Sequence, residues 1–509
     1  MDKYILAFDI GTTAIKAGII NLVNFEIVAL EKRENKVLLP AEGWAEQEAE
    51  ELWDAVTELS QNLTNKWKIS GIVYATQMAG VLPLDKSGNP LRNFIIWLDE
   101  RGKGYPKELW KGVFKVKGYN LLRLIKFLYI SGGAPSTTGK DPISKILWLR
   151  ENEPEVYRKT WKFVDVKSYL LFKTTGNIVT SPDEANLTWL VDTRKGRAIW
   201  HEKLLQQYGI DPQVLPPIKT SIELAGHVTS SSARELGVNP GTPVFVGSGD
   251  MVATAIGSGA VNTSEIHIYI GTSDWIATHI DKRKLDLFHH VGSILSAIPG
   301  LYLLVAEQEI AGSALDKIMT LLGMSKYEEL EKVVSTVEPG AGGMLFFPWL
   351  YGERAPIDDP FVRGGIFNLS LRSGKGEILR AVMEGVAFNI KWAYQYIERL
   401  AGYNKEVRIV GGAALSNTWC QILADVLRRK VIRMAQPRYA VLIGAAVIGS
   451  IGLGLYSSFT DATKRLRIDK IFTPTQNLEI YNKLFKEFIK IYNNLKNTYR
   501  RLNEQKLIK

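Results

Sequence analysis

The chain has 509 residues, 46% hydrophobic and 23% charged, a globular balance on a length that allows more than one domain. Its net charge is +10, yet no Arg-rich block interleaved with aromatics and no nucleic-acid motif goes with it, so the surplus reads as a lysine-rich solvated surface without a nucleic-acid partner. A single cysteine, Cys420, excludes an internal disulfide framework and a cysteine-based zinc site. With no basic, apolar leader at the start, a cytoplasmic setting is expected.

The first segment, Tyr4 to Asp9, is rich in β-formers and reads as a buried strand ending on a carboxylate. Gly11 lets the chain turn tightly, Thr12 and Thr13 add hydroxyls at the tip, and Ile15 to Ile20 returns as a second strand. Such a hairpin can cradle phosphate on its N–H groups while Asp9 holds a metal ion; an ordinary tight hairpin is the plain alternative. Glu26–Arg33 reads as a third strand. A helix follows from about Glu46 to Trp67, with Leu52, Val56, Leu59 and Leu63 on one stripe, and then a strand, Gly71–Thr76. This succession indicates an α/β architecture. The stretch Gly133–Asp141 imitates a P-loop, but its spacing is one residue too long and Asp141 stands where a hydroxyl is needed.

Pro243 to Val261 predicts a strand, a glycine turn and a small-residue helix beginning near Asp250. Asp250 is either that helix's N-cap or a carboxylate at a lobe boundary. The boundary is placed there, giving lobes 1–250 and 251–509. The second half opens on a copy of the first: Ile266–Ile280 aligns without gaps on the initial hairpin, Gly271 on Gly11, Thr272 on Thr12, Ser273 on Thr13, and Tyr269 on Asp9. Only the first hairpin supplies a carboxylate, so a metal is expected on its side. Further on come a strand from Leu301, a long helix over about Gly376–Leu400, and a strand, Gly-Gly turn and helix over Val407–Leu427, an arrangement that offers N–H groups to a nucleotide at a helix N-terminus. The uncharged run Ala440–Tyr456 is too short for a bilayer and reads as a buried helix, so no membrane partner is expected. The tail, about Asn477 to Lys506, reads as a helix packed on the body.

These segments, in this order, resemble the FGGY carbohydrate kinases over essentially the whole chain. The resemblance rests on "DIGTTAIK" (Asp9–Lys16), "KILWLREN" (Lys145–Asn152), "IGTS" (Ile270–Ser273), "GERAPIDDPFVRGGIFNLSL" (Gly352–Leu371) and "GGAALSN" (Gly411–Asn417). "EGWAEQEAEELWDAV" (Glu42–Val56), "TQMAG" (Thr76–Gly80) and "IWLDERG" (Ile96–Gly102) are most similar to xylulokinases within it.

The resemblance implies two actin-like ATPase (ribonuclease H-like) lobes with ATP between them. It implies transfer of the ATP γ-phosphoryl to a small sugar such as D-xylulose, with glycerol or gluconate as alternative acceptors. Asp250 would be the general base. Asp9 and Asp250 would hold Mg²⁺. Gly11, Thr12, Thr13, Lys16, Gly271, Thr272 and Ser273 would bind phosphates, and Gly411, Gly412, Ala413 and Asn417 would bound the adenosine. Gln77, Met78, Asp99, Asp250 and Met251 would meet the sugar. Two positions depart from xylulokinases: Ala79 replaces a common His and Met251 a common Asn, which makes the pocket less polar. A non-transferring ATPase switch or a catalytically weak sugar sensor on the same fold is the rival of another class. A homodimer is compatible with this picture.

Overall fold

Each copy of the glycine hairpin starts a mixed sheet. In the computed structural model, which describes residues 3–504, β1 (Tyr4–Ile10), β2 (Ala14–Asn21) and β3 (Ile27–Glu34) form an antiparallel meander. β4 (Ile69–Thr76) lies parallel beside β1. With β5 (Leu224–His227) and β6 (Pro243–Gly249) the sheet runs β5-β6-β4-β1-β2-β3, β6 parallel to β4 and β5 antiparallel at the edge.

The second sheet contains β7 (Ile266–Ile270), β8 (Asp274–Ile280), β9 (Val291–Leu295), β10 (Tyr302–Gln308), β11 (Glu406–Val410), β12 (Lys430–Met434) and β13 (Ile468–Phe472). Its order is β9-β10-β8-β7-β11-β12-β13. The series β10-β8-β7-β11-β12-β13 repeats β3-β2-β1-β4-β6-β5 strand for strand, parallel and antiparallel neighbours included. The sequence repeat is thus a repeat of topology.

The first long helix, α1 (Ala49–Thr64), begins later than the periodicity predicts. Glu46 and Gln47 instead pair with Phe94 and Ile95 as short strands. The cause is polar: Asn93, Arg92 and Arg101 claim the Glu46 carboxylate, and the Gln47 amide donates to the Thr12 carbonyl. Four more helices bear on the site: α2 (Pro142–Asn152), α3 (Pro182–Asn186), α4 (Asp250–Gly257) and α5 (Gly312–Leu321). Beyond them lie α6 (Lys375–Ala401), α7 (Asn417–Leu427), α8 (Ala440–Gly452) and α9 (Leu478–Glu504).

Between the sheets α4 and α8 cross at glycines. A Cβ on Gly257 would lie 1.8 Å from the Ala440 carbonyl oxygen, and one on Gly444 1.9 Å from that of Ala253. Leu442, Ala445, Val447 and Ile448 of α8 share one core with Ile5, Ala7 and Val73 of the first sheet and Ala277 and Leu303 of the second. The uncharged run is therefore a buried helix, and among the described residues no helix is long and apolar enough to cross a membrane. The tail helix α9 seats Tyr481, Phe485, Phe488 and Tyr492 on the second lobe beside Trp349, Phe388 and Trp392. Its expected end, Lys506, lies outside the described residues.

Candidate active site

In both hairpin tips the carbonyls are held by distant donors, the glycine amide is bonded within the turn, and the two amides that follow it are left without a partner among the described residues. In the first, the Asn35 side chain donates to the Gly11 carbonyl at 2.8 Å, Gln47 to that of Thr12 at 2.9 Å, and the Asn35 amide to that of Thr13 at 2.9 Å. In the second, the amides of Gly312 and Ala311, at the start of α5, hold the carbonyls of Gly271 and Thr272 at 2.9 and 3.0 Å. Gly312 is obligatory there, because its Cβ would stand 2.3 Å from the Gly271 oxygen. Among the described residues the N–H groups of Thr12, Thr13, Thr272 and Ser273 have no hydrogen-bond partner. Unpaired N–H groups on tight glycine turns suit an anion. The residues that hold the tip carbonyls, Asn35, Gln47 and Gly312, carried no recognisable signal in the sequence.

Asp9 closes β1 almost fully buried, paired with Lys16 across the hairpin at 2.7 Å. Asp250 is the first residue of α4; the N-cap position is Gly249, and the Asp250 side chain takes the Met251 amide at 2.8 Å on Oδ1. Its Oδ2 makes no hydrogen bond among the described residues. Its recessed position first, and the Asp9 charge second, push the Asp250 carboxyl up to about 7, with Glu307 and Asp183 adding to the effect. Asp9 and Asp250 are near enough for the charge of one to act on the other, although Lys16 pairs with Asp9. Hard oxygen donors in such a field suit Mg²⁺, so the residues fit that ion.

The second lobe adds groups the sequence did not single out. Arg354, from the Gly352–Leu371 segment, pairs with Glu307 and, at 2.7 Å, with Glu309. Buried Glu353 holds that segment through the amides of Glu309 and Arg354 at 2.9 and 2.8 Å and the Asn389 side chain at 2.6 Å. Tyr269, the counterpart of Asp9, stacks on Trp275 with centroids 4.0 Å apart. Its hydroxyl lies over the hairpin, 2.4 Å from where a Gly271 Cβ would be.

On the first-lobe side a polar chain links the first hairpin tip to the loop that carries Gln77 and Met78. Trp97 donates to the Thr12 hydroxyl at 2.8 Å, and Thr12 donates to the Gln77 side-chain oxygen at 3.1 Å. Gln77 in turn donates to Gln47 at 2.6 Å. Met78 lies against Gly249, its sulfur 2.4 Å from a Cβ that residue lacks, so it borders Asp250 and the half-buried Met251. Asp99 is placed elsewhere. It is fully buried, and Arg101 together with the Ala45 amide occupies both of its oxygens. A carboxylate beside a guanidinium two residues on closes into a local ion pair before it can reach a ligand, so Asp99 shapes the loop rather than facing the cleft.

The Gly411–Asn417 segment also differs from the simple strand–turn–helix reading. Gly411 adopts φ 99°, with a Cβ position only 2.3 Å from the Ile270 carbonyl oxygen, so the turn presses onto β7 beside the second hairpin. A Cβ on Gly412 would meet only the Arg438 side chain, at 4.0 Å from Nε. A 3₁₀ turn, Ala413–Leu415, then separates the glycines from α7. The first amides of α7 are already taken, Thr418 by Glu331 at 2.9 Å and Trp419 by Ser416 at 3.0 Å. Asn417 accepts from Arg433 at 3.1 Å. The helix N-terminus is capped by its own N-cap Ser416 and by Glu331 from a separate helix. Of the other side chains weighed from sequence, Asp141 takes the Ser136 amide and the Trp189 indole and is structural. His289 and His290 go to different partners, Asp286 and Asp358.

Two family models cover most of the chain: the N-terminal domain of the FGGY family of carbohydrate kinases over residues 4–257, and its C-terminal domain over 266–453. The chain belongs to this family. A gluconokinase of Bacillus subtilis is 29% identical over 517 residues, covering 98% of this chain and 97% of the relative. A xylulose kinase of the same organism is 29% identical over 504 residues, covering 97% of each. The crystal structure of a gluconate kinase from Lactobacillus acidophilus superposes with a TM-score of 0.87 at 26% identity, covering 98% of this chain and 100% of that one. The fold is the two-lobed, actin-like ATPase fold of the sugar kinases, and the chain is a carbohydrate kinase.

Proposed function

We propose that the chain transfers the γ-phosphoryl group of ATP to a hydroxyl of a small neutral sugar, with D-xylulose the first acceptor to test. One observation carries the reading: the N–H groups of Thr12 and Thr13 in one lobe and of Thr272 and Ser273 in the other are unpartnered among the described residues, and Asp250 lies within electrostatic reach of Asp9 and Tyr269 on the two hairpins. Phosphoryl transfer needs positioning and charge neutralisation more than covalent chemistry. The four N–H groups bind the phosphates. Gly411, Gly412, Ala413 and Asn417 bound the adenosine, and Lys16 keeps Asp9 in place at the phosphates. Asp250 accepts the proton of the attacking hydroxyl as the bond from that oxygen to phosphorus forms and the bond to the β-phosphate oxygen breaks. Asp9 and Asp250 would hold Mg²⁺, which neutralises charge on the phosphates when bound. Gln77, Met78 and Met251 line the acceptor side.

Charge favours a neutral acceptor over a sugar acid. The cations that meet the neighbouring carboxylates are already spent, Lys16 on Asp9 and Arg354 on Glu307 and Glu309. An aldonate would bring a further negative charge among Asp9, Asp250 and Glu307. The gluconokinase relative keeps gluconate as the second reading. The test is ATP-dependent phosphorylation across ketoses, polyols and aldonates, with Asp250→Asn beside the unaltered protein. Turnover of a ketose or polyol, lost in the variant, is expected. Turnover of gluconate alone would overturn the neutral-acceptor assignment, and no turnover on any acceptor would overturn the transferase reading.

A further inference from the structure

Ala79 follows Gln77 and Met78 and has φ 59°. An L-residue with a Cβ is disfavoured in that left-handed region and stays there only where its surroundings impose it. Its surroundings here are two buried chargeable side chains. Glu184 of α3 accepts the Ala79 amide on Oε2 at 3.2 Å. Lys145 of α2 donates from Nζ to the Ala79 carbonyl at 2.8 Å and, with the same Nζ, to the Ile96 carbonyl at 2.8 Å.

Neither group makes an ion pair among the described residues, Lys167 acting on Glu184 only through its charge. Lys145 is fully buried and makes no ion pair among the described residues. Burial pulls its ammonium down to about 7. Glu184 is 3% exposed, its Oε1 lacks a partner, and burial raises its carboxyl well above the ordinary range. A core does not gain from burying such groups; here they meet the two backbone polar atoms of one strained residue. The links extend outward. Ile96 precedes Trp97, which reaches Thr12 and through it Gln77. Asp183, beside Glu184, accepts the Gly249 amide at 2.6 Å, next to Asp250.

We propose that Lys145 and Glu184 are positioning residues that clamp Ala79 in its left-handed conformation and so hold Gln77 and Met78 in place against the acceptor sugar. This rests on the sugar-kinase reading above. Neither side chain touches the reacting atoms.

The test replaces Lys145→Met alone and together with Ala79→Gly, because glycine enters the left-handed region without the Cβ penalty. Three readouts are taken on the full chain: sugar KM and kcat, ADP affinity by calorimetry, and amide hydrogen exchange over residues 77–81. Lys145→Met is expected to raise sugar KM about tenfold, the scale of a left-handed alanine released from its support, with ADP affinity unchanged and exchange at 77–81 accelerated. Adding Ala79→Gly should recover much of the lost sugar KM. Should Lys145→Met not fold, Glu184→Met with and without Ala79→Gly is read in the same way. An unchanged sugar KM overturns the clamp, as does a loss shared equally by sugar and ADP that glycine does not recover. If the unaltered protein phosphorylates no sugar, the kinase reading fails, and exchange still judges the clamp: protection at 77–81 unaltered by Lys145→Met overturns it.

Discussion

Gly444→Ala should damage catalysis from a position buried between two helices. The added Cβ would sit 1.9 Å from the Ala253 carbonyl oxygen and 2.7 Å from its carbon. Both are backbone atoms of α4, so no side chain can swing aside. Ordinary contact begins near 3.4 Å, so α4 and α8 must part by roughly an ångström or more. Overpacking of this kind costs about 1–3 kcal/mol. The larger effect is on geometry, because α4 begins with Asp250. A displacement of about 1 Å at a reacting group can cost on the order of 100-fold in rate. The assay is steady-state kcat on the accepted sugar, with a thermal unfolding midpoint on the same samples. A lowered midpoint and a kcat reduced by one to two orders of magnitude are expected. A variant that keeps kcat within about twofold and melts unchanged would show that the crossing does not position Asp250.

Asp250→Asn should lower kcat by about 10²–10⁴-fold, the usual worth of a general base, while ADP affinity measured by calorimetry stays within a factor of a few. Asp99→Asn leaves the buried Arg101 guanidinium short of charge, which should cost about 3 kcal/mol in a denaturant titration; a stability-neutral variant that raised only sugar KM would put Asp99 back in the cleft. His279, fully buried between the Ala260 carbonyl and Ser296, has its pKa pulled down by burial to about 4. The folded state holds it neutral while the unfolded chain protonates it, so its stabilisation is complete above pH 6.5 and is lost as pH falls towards 4. At about pH 5 the loss is about 2 kcal/mol relative to neutrality, and His279→Gln should flatten that part of the stability–pH curve.

The repeat made the fold legible. Hydrophobic alternation around Gly11 and Gly271 gave both hairpins, and the matched sheet orders follow from them. The tight turns at the hairpin tips were legible too, because glycine there serves a backbone need. The distant partners were not. Asn35, Gln47 and Gly312 orient those tips through one or two hydrogen bonds each from further along the chain, and no periodicity marks such a residue. Glu46 shows the limit in another way: its helical pattern is overridden by arginines more than 40 residues away, Arg92 and Arg101. Asp99 was misplaced because a sequence shows a carboxylate but not the guanidinium that will occupy it. The start of α7 was misread because Glu331, which caps it, comes from an unrelated helix.

The position of α8 sets the order in which this protein can be completed during synthesis. The first sheet has all its strands once Gly249 has left the ribosome, yet the helix that covers Ile5, Ala7 and Val73 begins at Ala440. Nearly two hundred residues must be added before that apolar face is sealed, on the order of 10–40 s at ordinary elongation rates. The nascent first lobe therefore spends that interval with one side of its sheet open. A chain released between Asp250 and Ala440 would be a natural client for chaperones rather than half an enzyme.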